Sequence, residues 1–194
     1  MRSIVIFVIL AILAILFMNG CGTYNDFVDQ EAELEKQWAN VQSAYQERAD
    51  LVPNLVATVK GAADFEKSTL TQITEARAKA TSVNIDPTNI SAEKLAEFQK
   101  AQGELSSALG RLLMVTENYP ELKANANFRD LQAQLEGMEN RIRVERNKFN
   151  ERAGEYNKLV KRFPASFYAS IFGFEAKAYF EADANAQNAP KVEF

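Results

Sequence analysis

The chain predicts an all-α fold, an up-and-down four-helix bundle of long helices preceded by an amino-terminal hydrophobic membrane segment. Three observations carry that prediction. Phe128, Leu135, Ile142, Phe149, Tyr156 and Phe163 fall seven residues apart, the heptad-like stripe of a single helix. Leu131, Met138, Glu145, Arg152 and Leu159 fill the complementary positions. At the rise of an α-helix, residues 127–163 would be about 55 Å long. Second, residues 4–18 are fifteen consecutive apolar residues. Third, no stretch alternates apolar and polar residues in the manner of a strand.

The apolar run follows Met1-Arg2-Ser3, and no charge occurs between Ser3 and Asn25. Alone it would span about 22 Å as a helix, short of a hydrocarbon core of about 30 Å. With the uncharged residues 19–24 it reaches the length of a single span. A secretory signal has the same layout, ending here in Gly20-Cys21-Gly22. The Gly-Cys pair also resembles the end of a bacterial lipobox, which makes Cys21 a lipidation candidate. Met18 and Asn19 fit that pattern poorly, which favours an uncleaved span, and both readings stay open. A buried core helix would leave the run without a polar face. Arg2 precedes it while Asp26, Asp29 and Glu31 follow. The positive-inside rule therefore places the body outside the cytoplasm.

In the body, Tyr24, Phe27, Leu34, Trp38, Val41 and Tyr45 recur at threes and fours, giving a first helix over residues 24–49. Asp50 reads as the N-cap of a second helix, with Pro53 tolerated in its first turn. That helix carries Val52, Leu55, Val59, Ala62, Ile73 and Ala76 to about residue 81. The heptad phase also runs unbroken through Pro53, as one kinked helix would require. Two helices are preferred, because a single one would leave much of its apolar seam uncovered. Residues 82–90 form a loop around Asp86-Pro87. Ser91 caps a third helix with Leu95, Phe98, Leu105, Leu109, Leu112 and Tyr119 along its seam. Gly103 and Gly110 lie one heptad apart on it, where each costs up to about 1 kcal/mol against alanine, so a close helix approach is expected there. Tyr119-Pro120 ends that helix. Asn127 caps the fourth, with Asp130 in its first turn. Beyond Phe163-Pro164 an apolar element with Phe167, Tyr168, Ile171, Phe172 and Phe174 is expected to fold back on the bundle end or touch the bilayer. The organisation is thus anchor or signal at 1–23, bundle at 24–164, and apolar element with tail at 165–194.

Composition narrows the function. A net charge of −4 supplies no basic phosphate-binding surface, so nucleic acid is not an expected partner. The absence of histidine removes the commonest general base and metal ligand together. Cys21 is the single cysteine and has no internal disulfide partner. No catalytic residue, metal or cofactor is expected.

The stretch Arg48-Ala-Asp-Leu-Val-Pro-Asn-Leu-Val-Ala-Thr-Val-Lys-Gly61 closely resembles the central signature of the LemA family. So do Asn140-Arg-Ile-Arg-Val-Glu-Arg-Asn-Lys-Phe-Asn150, Tyr156-Asn157, Phe163-Pro164 and the closing Pro190-Lys-Val-Glu-Phe194. The resemblance covers nearly everything from Tyr24 onward. Glu47 departs from it, where the family usually shows a second arginine, as do residues 62–65, where it tends to carry tyrosine and histidine. The resemblance implies a bacterial membrane-anchored helical bundle with no established enzymatic activity. It also implies a cytoplasmic carboxy-terminal domain, against the charge argument above.

Three constellations have polar chemistry in apolar surroundings. Arg48, Asp50, Pro53 and Asn54 read first as a helix junction: Asp50 as cap, Asn54 bonding locally, Arg48 tying the turn to a neighbour. The charged run 141–152 reads as a solvated helix face. Depth counted along four antiparallel helices, starting from Asp50, Asp50, Tyr119 and Asn127, places Glu31, Glu66, Gln102 and Glu145 in one mid-bundle layer. Arg141, Arg146 and Arg152 are its expected counter-charges, with Asn150 as a further bonding group, since buried carboxylates need partners. The expected function is a membrane-tethered, non-catalytic adaptor or scaffold facing lipid and another envelope protein. The alternative is a structural envelope lipoprotein without a specific partner.

Overall fold

The computed structural model describes residues 2–61 and 66–181 and, among these, the side chains of all but residues 2 and 12–17. It is all-helical, with α1 Arg2–Lys60, α2 Lys67–Ser82, α3 Ala92–Val115, α4 Pro120–Ala124, α5 Ala126–Lys161 and α6 Ala165–Phe172. A 3-10 turn, Thr116–Asn118, joins α3 to α4.

The expected boundary at Asp50 is absent. α1 passes through Pro53 without a break, so the two-helix reading is corrected. Proline removes the N–H that would bond the carbonyl four residues back, which here belongs to Ala49. Arg77 of α2 supplies the missing donor: its Nε donates to the Ala49 carbonyl at 2.8 Å. Asp50 caps nothing. Its carboxylate accepts from Gln46 Nε2 at 2.8 Å and lies 3.7 Å from an Arg77 guanidinium nitrogen. The apolar stripe Trp38, Val41, Tyr45, Val52, Leu55 and Val59 stays in phase across the proline and is buried throughout. That seam is covered by α2, α3 and α5, which removes the objection to one helix. The chain turns after Lys60 instead, and part of the expected second helix, residues 62–65, lies outside the described residues.

Other termini shift for local reasons. Ser91 caps α3 as its sequence suggests, accepting from the Lys94 amide at 3.3 Å. α3 ends at Val115 rather than Tyr119, and Pro120 then opens α4 at a position where its missing N–H is harmless. The α5 cap is Asn125, not Asn127: its side chain accepts from the Phe128 amide at 3.3 Å. Asp130 therefore falls beyond the first turn. Gly103 and Gly110 mark no close approach, since an added Cβ at either would meet nothing within 4 Å. Phe163 lies outside α5 and is 83% exposed, whereas Phe128, Leu135, Ile142, Phe149 and Tyr156 are buried. On the complementary stripe Arg152 faces solvent and the neighbouring Ala153 packs instead.

α1 and α5 run antiparallel, as Arg48 meeting Glu139 and Gln37 meeting Glu145 require. α2 and α3 do the same, through Lys79 with Glu104 and Gln72 with Arg111. Three apolar clusters stack along the resulting helical bundle. One gathers Val52, Leu55, Val59, Ile73, Leu105, Leu112 and Phe128. A central aromatic cluster holds Trp38, Tyr45, Phe98, Phe149 and Phe180. The third packs Phe27 against Ala165, Tyr168 and Ala169 of α6.

After α6 the chain turns at Gly173, whose φ of +79° suits glycine, and residues 174–181 run back along α5 as an extended strap. Two asparagines hold it. Asn157 accepts from the Lys177 amide at 2.7 Å and donates to its carbonyl at 2.8 Å. Asn150 does the same to Phe180, at 2.8 and 2.9 Å. Each amide thus treats the strap as an adjacent strand would. The spacings match, because seven residues of helix and three of extended chain both cover about 10 Å.

If Arg77 satisfies the carbonyl orphaned by Pro53, the two positions must be coupled. Arg77→Met should cost about 1–3 kcal/mol in urea unfolding. In a Pro53→Ala background, where residue 53 regains its N–H, the same change should cost clearly less. Equal costs in the two backgrounds would refute the pairing.

Candidate functional site

Between the first and second apolar clusters the bundle carries a polar layer built on Arg48. A heptad seam that places Tyr45 and Val52 inward places Arg48 inward too, and the residue is 1% exposed. Its guanidinium ties α1 to two other helices, α3 and α5. One terminal nitrogen donates to Ser106 Oγ and to Glu139 Oε1, each at 2.6 Å. The other donates to the Gln102 carbonyl at 3.1 Å and to its side-chain oxygen at 2.8 Å. Gln102 in turn donates to the Ala80 carbonyl at 3.1 Å, which extends the layer to α2. The Arg48 cation also lies 5.1 Å from the Tyr45 ring centroid.

The layer forms the floor of a cleft of about 430 Å³ between α1, α3 and α5. Tyr45, Gly103, Ser107, Glu139 and Arg146 line its walls. Glu139 is its solvent-facing element, with a side chain 50% exposed against 2% for Arg48. Burial raises the Tyr45 phenol above its ordinary value, with Arg146 and Arg48 pulling the other way. Tyr45 is therefore a neutral phenol in the neutral range. Two guanidinium groups face one carboxylate here, so the cleft suits an anionic group. Among the described residues no group of three or more His, Cys, Asp or Glu is placed to hold a metal.

The anticipated layer of Glu31, Glu66, Gln102 and Glu145 does not assemble. Glu31 pairs with Lys177 of the strap at 2.6 Å. Glu66 is exposed ahead of α2 and accepts from Thr69 at 3.2 Å. Glu145 accepts from Gln37 at 2.8 Å and from Lys148 at 3.0 Å. Gln102 belongs to the Arg48 layer. The expected counter-charges are spent elsewhere: Arg141 on Glu47, Arg152 on Glu155, and Arg146 on the Glu181 carbonyl and the Phe180 ring. Asn150 holds the strap. The depth count failed because it turned the chain at Asp50, whereas α1 continues to Lys60. Arg48 facing Glu139 registers the two helices so that Glu31 lies by Tyr156, about three turns from Glu145.

Of the junction residues, Arg48 reaches the neighbouring helices as described, Asp50 meets Arg77, and the Asn54 carbonyl accepts from Thr58 Oγ1 at 2.9 Å. Cys21 is exposed on α1. Sequence reasoning missed Glu139, Ser106 and Tyr45. Correct register against an unbroken α1 would have found the first, as the carboxylate opposite an inward-facing arginine.

Comparison with known proteins gives a consistent family. The LemA family model matches residues 37–194. Magnetosome protein MamQ 2 of Paramagnetospirillum magneticum is 26% identical over 190 residues, covering 89% of this chain and 68% of that protein. Magnetosome protein MamQ of Magnetospirillum gryphiswaldense is 26% identical over 197 residues, covering 93% and 71%. Protein LemA of Metamycoplasma hominis is 24% identical over 178 residues, covering 92% and 77%.

Two predictions follow the charges. Removing Glu139 takes the counter-charge from a buried guanidinium, whereas an amide there keeps an acceptor. Glu139→Ala should therefore cost about 3 kcal/mol or more in chemical unfolding, and Glu139→Gln less. The reverse order would contradict the layer's electrostatics. At Glu145, the Gln37 hydrogen bond holds the carboxyl below the ordinary glutamate value, with burial opposing and Lys148 assisting. A depressed folded value stabilises above the unfolded pKa of about 4.3 and is lost as the pH falls below it. Glu145→Gln should flatten the fall in stability between about pH 5 and pH 3. An unchanged acid limb would rule out this contribution.

Proposed function

Because the chain belongs to the LemA family, we propose that it is a membrane-associated, non-catalytic helical scaffold whose four long helical segments form an up-and-down bundle. One observation carries this reading. The described side chains of residues 4–10 are 51% to 72% exposed, on the same continuous helix that builds the core from Phe27 to Val59. Seven consecutive exposed large apolar residues are unfavourable in water, at roughly 25 cal/mol per Å² of apolar surface. A lipid phase removes that penalty. Among the described residues no helix is long and apolar enough to cross a membrane, and the side chains of 12–17, within the apolar run, lie outside the described residues. The reading therefore joins the exposed residues 4–10 to the sequence of the whole run. It places the body on the extracytoplasmic side, on the charges of Arg2 before the run and Asp26, Asp29 and Glu31 after it.

The scaffold reading assigns the Arg48 cleft to a partner. Two arginines against one carboxylate fit an acidic side chain or a carboxyl terminus of another envelope protein. The passive lipoprotein reading makes no use of this cleft.

Deleting residues 1–23 should release the protein from the membrane fraction with its helical circular dichroism retained. A photo-crosslinker at Ser107 in membranes should give a discrete protein adduct, and Arg146→Glu should abolish it. Adducts to lipid alone, or an adduct indifferent to Arg146→Glu, would overturn the partner role. Protease should reach the body in intact spheroplasts, and protection would reverse the orientation.

A further inference from the structure

The third apolar cluster leaves an unusual surface beside the apolar run. α6 buries Ala165, Tyr168 and Ala169 against Phe27. On its other side Phe167 is 61% and Ile171 60% exposed, and Phe163, just before the helix, is 83% exposed. These three large apolar residues follow one another at intervals of four, so they form one patch rather than scattered exposure. Elsewhere on the described body, exposed large apolar residues such as Met114 and Val144 stand singly.

Position identifies what covers the patch. α6 is docked at the point where the apolar run ends. A Cβ added to Gly20 would sit 3.0 Å from the Tyr168 ring, so α1 and α6 approach closely there. One turn further on, Tyr24 packs edge-on to Phe172 at 5.1 Å and against Phe174 at 5.7 Å. The apolar surface of residues 4–10 and the exposed face of α6 are thus separated along α1 by one short, uncharged segment. Lys158 and Lys161 occupy the last turn of α5, and Arg162 directly precedes Phe163. Aromatic residues flanked by cations at the end of an apolar helix match the interfacial zone of a bilayer.

We propose that α6 is an interfacial foot, with Phe163, Phe167 and Ile171 seated at the headgroup–acyl boundary of the bilayer and Lys161 and Arg162 on anionic headgroups. The proposal rests on the membrane reading above and adds a second contact to it. A helix entering the bilayer alone would leave the body free to tilt about the membrane surface. A foot held against α1 fixes the body's orientation and the height of the Arg48 cleft.

The test places a tryptophan at each level of the full-length chain, with the buried Trp38 as constant background. The variants are Leu10→Trp, Phe167→Trp, and Met114→Trp at the opposite end of the body. Each is reconstituted into vesicles of phosphatidylcholine and phosphatidylglycerol carrying bromines at shallow or deep acyl positions. Circular dichroism checks folding, and Ile171→Trp serves if Phe167→Trp fails to fold. The foot requires about twofold or greater quenching at position 167 by the shallow label, with Leu10→Trp quenched most by the deep label and Met114→Trp unquenched. Quenching at 10 without quenching at 167 overturns the foot and leaves the membrane reading standing. No quenching at either position overturns both. Equal quenching at 10, 167 and 114 means the body lies flat on the bilayer, which also overturns the foot.

Discussion

The orphaned carbonyl of Ala49 is the constraint on which the rest of the fold depends. Pro53 removes its helical donor, and a buried carbonyl without a partner would cost as much as the helix gains from continuing. Arg77 Nε fills the vacancy from α2, and its terminal nitrogen reaches Asp50. The same bond that keeps α1 whole also pins α2 against it. With α1 unbroken, one heptad phase extends from Phe27 to Val59, and the position of every residue on it is fixed by any other.

Arg48 is the consequence. Its place in that phase drives a charge into the seam, where it is compatible with folding only if each neighbouring helix offers an acceptor. α3 gives Gln102 and Ser106, and α5 gives Glu139. Sliding α5 by one turn would move Glu139 about 5.4 Å and break its bond to the guanidinium. The layer therefore selects a register that the apolar clusters on either side would accept in several versions. Its opening toward solvent gives the bundle a polar cleft between α1, α3 and α5.

Much of this architecture was legible in the sequence. The stripe from Phe128 to Tyr156 announced α5, and Ser91 announced the start of α3. The main failure has one physical origin, which is that a tertiary partner replaced a local one. Asp50 followed by Pro53 has the chemistry of a helix start, and nothing in the local pattern reveals that a side chain 28 residues on supplies the missing donor. Placing the turn at Asp50 rather than after Lys60 then shifted the depth count. Glu31, Glu66, Gln102 and Glu145 consequently appeared level, while the true opposite of Arg48 went unnoticed. The strap was invisible for another reason. Its residues obey no helical or strand period, because Asn150 and Asn157 hold its backbone and not its side chains. Gly103 misled in the opposite sense: it lines a cleft, where a missing side chain keeps space open.

The unbroken α1 also joins the two ends of the functional reading, since the apolar run and Arg48 lie on one continuous helix. Amide hydrogen exchange of the full chain tests that continuity most directly. The account predicts that the amides of Leu51, Val52 and Asn54 are protected comparably to those of Val41 and Tyr45, as helix interior. Near-unprotected exchange at Leu51, Val52 and Asn54, the pattern of a helix beginning at Asp50, would contradict it.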